Sequence, residues 1–297
     1  MAIGDSYAAG VGVFPPVPGD ESCVRSGADY AHLLAWREAW DLTDTTCSGA
    51  TLIKGVWPGT GSPGRGGFWE SADPGKIPAM IDEVTPETKY MTFQMGGNDS
   101  GLSITFIDCA NDQTGVPNPG NDTHPCQDRH NAGNPRYPID FGVMSGAIKS
   151  ALVEIHDRAT KAKVLVLGYP AILPEDSTAC ADNENPKPRD TGVGPVTQAD
   201  ITWLRDQLKQ MNTSIKNTAE ALAAADPSFQ VAYTDTYSPF EGHDACQTRG
   251  KRVFGVDAPI YLPDDLARWA AGHPNAIGHY QIAGLLQQTF PTAFPQS

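Results

Sequence analysis

Short segments with the pattern of β-strands alternate with longer segments with the pattern of α-helices along nearly the whole chain. The strand patterns are "MAIG", "DLTDTTC", "KYMTFQMGG", "AKVLVLGYP" and "FQVAYTD". The helix patterns cover residues 26–40, 76–84, 140–161, 197–225 and 275–290. Strands separated by helices form a mostly parallel sheet with helices on both faces. The sequence therefore predicts the α/β class.

The chain has 297 residues, of which 40% are hydrophobic, so it can bury a sizeable core. No run approaches about 18 consecutive apolar residues, so we expect no transmembrane helix and no stable membrane insertion. Stretches rich in Gly and Pro at 54–76, 111–138 and 174–196 interrupt the pattern. We interpret them as ordered, disulfide-stapled loops rather than linkers, and we expect a single domain over residues 1–297.

The formal net charge of −14 argues against a nucleic-acid partner and against adsorption to anionic lipid by charge. The charge is compatible with neutral or uncharged substrates, but it does not identify one. Nothing in the sequence requires a partner chain, so we expect a monomer.

Six cysteines are spread along the chain without the paired spacing of a zinc site, so we expect no metal. An even count in loops rich in Pro and Gly indicates disulfides and an exported protein. We therefore expect a secreted protein whose natural chain begins upstream of this sequence, which carries no signal peptide. Sequential pairing is favoured because each bond then closes one long excursion of the chain. The pairs would be Cys23–Cys47, Cys109–Cys126 and Cys180–Cys246.

The segment "AIGDSYAAG" places Ser6 directly after the first strand pattern. Ligands of open parallel sheets bind outside the carboxyl ends of the strands, so Ser6 is expected at that edge. A serine hydroxyl is a poor nucleophile at neutral pH and needs an adjacent base. Gly-Asp-Ser also occurs in ordinary turns, so Ser6 alone does not define a site.

Among seven histidines, His273 stands out because it directly precedes Pro274 and the last helix pattern. Proline fits the first turn of a helix, so we expect Pro274 in that turn and His273 on a rigid shoulder. The alternative is a surface histidine that caps the helix. His279 lies within the helix pattern and is expected to be packed.

Two glycine-containing turns follow strand patterns and could supply donors to a developing oxyanion, as acyl transfer requires. Asn98 lies in "MGGND" at the rim of the expected crevice, and Gly49 in "CSGA" can present a bare backbone N–H. An ordinary turn is the alternative for each of them.

These motifs together resemble the four blocks of the SGNH (GDSL) hydrolases, in the family's order, from residue 4 to about residue 285. The matching residues are Gly4-Asp5-Ser6, Gly49, Asn98 in "GGND" and His273-Pro274-Asn275. The six cysteines and "GDSY" also resemble the secreted actinomycete esterase, lipase and phospholipase branch, which has three disulfides.

The resemblance implies a flavodoxin-like three-layer α/β/α fold with a mostly parallel five-stranded sheet. It implies cofactor-free hydrolysis of small-molecule or lipid carboxylic esters, with Ser6 as nucleophile and His273 as base. It also implies an oxyanion site made of the Ser6 N–H, the Gly49 N–H and the Asn98 amide. An acyltransferase on the same site and a non-catalytic ester- or glycan-binding protein of the same fold are the alternatives.

The chain departs from the family pattern three positions before His273, where an acidic residue is usual and Ala270 stands here. One substitute for the acid is a backbone carbonyl near Trp269–Ala270 that accepts the imidazole N–H. The other is Asp264 or Asp265 reaching over from earlier in the segment. We favour the carbonyl because the aspartates are eight or nine residues away.

A loop with the sequence "VWPGTGSPGRGGFWE" carries three aromatic side chains shortly after Gly49. These side chains could line an acyl or alcohol pocket, or they could anchor the loop onto the domain. They are Trp57, Phe68 and Trp69.

Overall fold

The structure is a computed structural model. It describes residues 1–20, 22–53, 67–70, 78–111, 127, 138–180, 198–247, 249–255 and 270–295. The strands and α-helices in chain order are β1 (Ala2–Gly4), α1 (Ser6–Ala9), α2 (Tyr30–Glu38), β2 (Tyr90–Gln94), α3 (Leu102–Asn111), α4 (Phe141–Arg158), β3 (Lys163–Leu167), α5 (Gln198–Ala225), β4 (Val231–Thr234) and α6 (Ala276–Ala293). No helix in the described part of the chain is long and apolar enough to cross a membrane.

A parallel sheet forms the centre of the fold, with the strands in the order β1-β2-β3-β4. One row of paired residues crosses it, from Ile3 through Phe93 and Val166 to Tyr233. Along β2 and β3, every residue after the first is buried, which is typical of a sheet covered on both faces. The prediction of an α/β fold with a mostly parallel sheet is confirmed.

The prediction of a fifth strand from "DLTDTTC" is wrong for the described residues, which form four strands. The segment does run beside β1, but only one parallel bridge forms, between Ala2 and Asp44. The Asp44 carboxylate accepts the Thr46 N–H at 2.9 Å and the Thr46 hydroxyl at 2.8 Å. Such local side-chain bonds offer the backbone an alternative to an extended ladder.

Two helix pairs pack beside the sheet, α2 with α6 and α4 with α5. Buried aliphatic and aromatic side chains join helices and strands in one hydrophobic core. Asp29 caps α2, because its carboxylate accepts the His32 N–H at 2.9 Å. In the described part of the predicted helix at 76–84, residues 78–84, only a 3₁₀ turn forms, at Met80–Glu83.

Two of the three predicted disulfides are present in the described residues. Cys23–Cys47 ties the loop after α1 to the segment beside β1, and Cys180–Cys246 ties the loops that follow β3 and β4. Cys109 is buried and disulfide-bonded, while Cys126 lies outside the described residues.

Candidate active site

Ser6 lies at the first position of α1, immediately beyond the carboxyl end of β1. Asp5 precedes it in an extended conformation and caps the helix, because its carboxylate accepts the Tyr7 N–H at 3.0 Å. Gly4 is required here because a Cβ atom on it would collide with the Ala8 side chain. The sharp turn from strand to helix therefore depends on Gly-Asp at positions 4 and 5, and it presents the Ser6 hydroxyl at the edge of the sheet.

His273 meets Ser6 across 267 residues of sequence, with its Nε2 atom 2.8 Å from Ser6 Oγ. Its Nδ1 atom lies 3.2 Å from the Ala271 carbonyl oxygen. A carbonyl oxygen only accepts hydrogen bonds, so this contact places the ring proton on Nδ1. Nε2 then carries a lone pair that accepts the Ser6 hydroxyl proton, which is the arrangement that a general base needs.

Burial of the His273 ring lowers its pKa to about 4, against a smaller opposing effect of the nearby carbonyls of Ala271 and Ala270. The ring is therefore neutral throughout the physiological pH range. A neutral imidazole can take a proton, whereas an imidazolium cannot.

Backbone hydrogen bonds to residues 252–254 hold the loop that carries His273. Phe254 donates to the His273 carbonyl at 2.8 Å and accepts from Gly272 at 2.8 Å, and Val253 bridges to Pro274 in antiparallel fashion. The prediction that Pro274 lies in the first helical turn is wrong, since Asn275 caps α6 and the helix begins at Ala276. The backbone around His273 is therefore held by the antiparallel bridge between Val253 and Pro274 rather than by the first turn of a helix.

Tyr7 also braces this loop, and the sequence analysis did not single it out. Its ring packs against the His273 ring with centroids 4.4 Å apart and planes tilted by 36°. Its hydroxyl donates to the Gly272 carbonyl at 3.0 Å. The signal in the sequence was its position in "GDSY", directly after Ser6.

Asn98 is buried beside the turn that contains Gly49, as its amide donates to the Ala50 carbonyl at 2.9 Å. An amide has two N–H donors, and the bond to Ala50 uses one of them. Gly49 has a φ of 80°, which favours glycine. The turn is joined to the end of β1 by the bond from the Cys47 N–H to the Gly4 carbonyl at 2.9 Å.

Asp99 holds the chain after Gly49 in place and was missed as a separate residue by the sequence analysis. One of its oxygens, Oδ1, accepts the N–H groups of Leu52 and Ile53, both at 2.8 Å. Burial raises the pKa of this carboxyl to about 6, while the two backbone donors oppose that rise. The loop after Gly49 is thus bonded both to the Asn98 amide, through Ala50, and to the Asp99 carboxylate, through Leu52 and Ile53.

The residues predicted to orient His273 are only partly described. The Ala270 carbonyl accepts the backbone N–H of His273 at 2.9 Å, and the carbonyl within hydrogen-bond distance of the ring belongs to Ala271 instead. Trp269, Asp265 and Asp264 lie outside the described residues.

The aromatic loop is described at Phe68 and Trp69, while Trp57 lies outside the described residues. Phe68 is completely buried and packs edge-on against Trp69 and Phe93, with centroids 4.7 Å and 6.3 Å away. Phe68 therefore packs in the core, which is the arrangement that the anchoring alternative expects. Trp69 is partly buried against the same core.

One group of side chains with metal-ligating atoms is found among the described residues, away from Ser6 in sequence. His32 Nδ1 lies 2.9 Å from Asp29 Oδ2 and 3.8 Å from Asp44 Oδ2. The hydrogen bond to the Asp29 carboxylate raises the pKa of His32. His279 is buried at the other face of α2, where its Nδ1 accepts the Tyr30 N–H at 3.1 Å.

A serine hydroxyl hydrogen-bonded to an imidazole at the carboxyl edge of a parallel sheet is the arrangement expected of a hydrolytic enzyme of the α/β type. The model of the GDSL-like lipase/acylhydrolase family matches residues 2–281. The chain belongs to this family, which confirms the resemblance drawn from the sequence, and it is a carboxylic ester hydrolase.

Relatives and solved structures agree with this assignment. The chain is 31% identical over 286 residues to Lipase 2 of Streptomyces coelicolor, covering 95% of this chain and 82% of that protein. Its fold is similar to the extracellular lipase of Streptomyces rimosus (TM-score 0.64, 20% identity, 97% of both chains). It is equally similar to phospholipase A1 of Streptomyces albidoflavus (TM-score 0.65, 21% identity, 97% of both chains). At these identities the two structures show the fold alone.

Proposed function

We propose that the chain hydrolyses carboxylic esters through an acyl-enzyme on Ser6, with His273 as the general base. The observation that carries the proposal is the 2.8 Å contact between Ser6 Oγ and His273 Nε2, together with the Nδ1 contact to the Ala271 carbonyl. The two contacts leave one nitrogen to take the Ser6 proton and use the other to fix the ring.

In the proposed mechanism, Ser6 Oγ attacks the ester carbonyl carbon while His273 Nε2 takes the hydroxyl proton. The tetrahedral oxyanion is stabilised by the Ser6 N–H, the Gly49 N–H and the free N–H of the Asn98 amide. The C–O bond then breaks, and the imidazolium gives its proton to the leaving alcohol. Water repeats the two steps on the acyl-enzyme, releasing the carboxylic acid and restoring Ser6.

The Ala271 carbonyl takes the place of the missing acidic residue in this proposal. A carboxylate would both orient the ring and stabilise the imidazolium by its charge. A carbonyl orients the ring and adds only a dipole. The packing of Tyr7 on the ring and the bonds from residues 252–254 support the orientation further.

The substrate class that we propose is neutral esters, including lipid esters, because the similar Streptomyces proteins carry the names lipase and esterase. We also propose that the protein is secreted, which agrees with its two described disulfides and with its similarity in fold to the extracellular lipase of Streptomyces rimosus. Transfer of the acyl group to an added alcohol would identify an acyltransferase instead.

Hydrolysis of a short p-nitrophenyl ester tests the proposal, with Ser6→Ala and His273→Ala as the variants. Ser150→Ala, on an exposed part of α4, and His156→Ala, later in the same helix, are the matched controls. We expect the controls to retain wild-type turnover and the site variants to lose about 10³-fold or more. Full activity of Ser6→Ala would rule out the acyl-enzyme, and an inert wild type would favour a binding protein.

A further inference from the structure

Tyr169 lies just beyond β3, at the same edge of the sheet as Ser6, and its side chain is 2% exposed. Its hydroxyl donates to Asp5 Oδ2 at 2.5 Å. The Tyr169 hydroxyl oxygen in turn accepts the Gly97 N–H at 2.8 Å. Asp5 precedes Ser6 and Gly97 precedes Asn98, so one hydroxyl joins the turn of the proposed nucleophile to the turn of a proposed oxyanion donor.

Four side-chain hydrogen bonds hold the backbone of Gly168 and Tyr169. The Asn212 side-chain amide accepts the Tyr169 N–H at 2.7 Å and donates to the Tyr169 carbonyl at 2.8 Å. The preceding carbonyl, of Gly168, accepts the Gln94 amide at 2.7 Å and the Thr236 hydroxyl at 2.6 Å. Three different elements thereby fix the position from which the ring projects.

The ring itself contacts the turns that its hydroxyl joins. A Cβ atom on Gly97 would lie 3.0–3.1 Å from the outer ring atoms and the hydroxyl of Tyr169. The ring also meets Tyr7 edge-on, with centroids 5.0 Å apart, and Tyr7 packs on His273. Tyr169 therefore contacts the Ser6 and Asn98 turns directly and reaches the His273 loop through one intervening ring.

We infer that Tyr169 is a positioning residue that sets the distance between the Ser6 turn and the Asn98 turn, an inference that rests on the proposed function. Tyr169 does not act as an acid or base in this scheme. Its hydroxyl fixes Asp5 and Gly97 relative to each other, and the turns that follow them carry the groups that would react with the ester. Transition-state stabilisation depends on that distance, because preorganised donors must meet the oxyanion where it forms.

The first test is Tyr169→Phe, which keeps the ring and removes the bridging oxygen. We expect kcat to fall by about 10- to 100-fold with KM nearly unchanged, because small misplacements act mainly on the transition state. Tyr237→Phe, at another buried tyrosine beyond β4, is the matched control and should keep the wild-type kcat. Thermal unfolding of each variant separates a loss of folded protein from a loss of turnover per folded molecule.

The second test is a double-mutant cycle between Tyr169→Phe and Asp5→Ser. Serine is a good helix cap but is too short to reach Tyr169, so Asp5→Ser removes the bridge from its other end. If the bridge acts as a unit, the double variant loses no more kcat than the more damaged single variant. Losses that multiply, or a wild-type kcat for folded Tyr169→Phe, would overturn the inference.

The outcomes also distinguish this inference from the proposed function. An inert wild type or a fully active Ser6→Ala would defeat the proposed function. The role of Tyr169 alone would be refuted if the wild type hydrolyses esters, Ser6→Ala is inactive and Tyr169→Phe keeps the wild-type kcat.

Discussion

The pH dependence of kcat/KM tests how His273 is oriented. A carbonyl partner adds no charge, so burial dominates and holds the pKa of His273 at about 4. A carboxylate partner such as Asp264 would instead favour the imidazolium and raise that pKa. The acidic limb of the profile therefore distinguishes the two orienting groups that the sequence leaves open.

The difference is large at pH 5.5. With a pKa of about 4, about 97% of His273 is neutral at that pH, whereas an ordinary histidine with a pKa of about 6.5 is only about 9% neutral. The expected kcat/KM at pH 5.5 is thus close to its value at pH 7, rather than about tenfold lower. The substrate should be an ester of a non-ionising alcohol, with product measured by chromatography, so that the readout itself does not titrate.

Two controls accompany this profile. Burial raises the pKa of Asp99 to about 6 and that of Asp5 to about 7, so both carboxyls titrate in the same window. The profile is therefore repeated in Asp99→Asn, whose amide oxygen can still accept the Leu52 and Ile53 N–H groups, and in Asp5→Ser. Unfolding is followed at each pH, because the lowered pKa values of His273 and His279 make the unfolded state bind more protons as the pH falls from 6.5 towards 4. An acidic limb at pH 6.5 or above that persists in the wild type, Asp99→Asn and Asp5→Ser would refute the carbonyl arrangement.

Three further predictions concern the same site. Asn98→Ala should lower kcat by about 10²- to 10³-fold in the ester assay, as loss of one oxyanion donor does, and an unchanged kcat would exclude its amide. Tyr7→Leu should lower kcat by about tenfold or more, whereas Tyr7→Phe, which keeps the ring against His273, should lose less; equal losses would point to the hydroxyl alone. Asp264→Asn combined with Asp265→Asn should leave kcat within about threefold of wild type, and a loss of about a thousandfold would show that an aspartate orients the ring.

The sequence predicts most where a function occupies a contiguous motif. Gly4, Asp5 and Ser6 identify the turn that carries the proposed nucleophile, because the turn needs a residue without a side chain followed by a helix cap. His273 is identified by the Pro and Asn that follow it, of which Asn275 caps α6. The structure brings Ser6 and His273 together, as the sequence analysis expected, although their catalytic roles stay predictions.

The sequence predicts least where tertiary contacts decide. The Ala271 carbonyl has no residue signature, because every residue has a carbonyl, so the sequence could indicate only a carbonyl near Trp269–Ala270. Tyr169 and Asn212 lie in an ordinary strand end and an ordinary helix, and they acquire a role only because β3 and α5 bring them to the site. The glycine-rich loop around Phe68 allows either a pocket-lining or an anchoring role, and only the structure shows that the side chain is completely buried in the core.

An uncharged orienting group changes what the rest of the site must supply. A carboxylate holds an imidazole by a charge-assisted bond that strengthens as the imidazolium forms, whereas the bond to the Ala271 carbonyl strengthens much less. In the proposed mechanism the orientation of His273 must therefore come from packing and backbone bonding, and the structure supplies both, through the Tyr7 ring and the bridge between Val253 and Pro274. The less basic ring is a weaker proton acceptor at neutral pH, but it stays neutral in acid. In an esterase of this kind the imidazolium is less stabilised, and the histidine stays neutral at a lower pH than an ordinary histidine with a pKa of about 6.5.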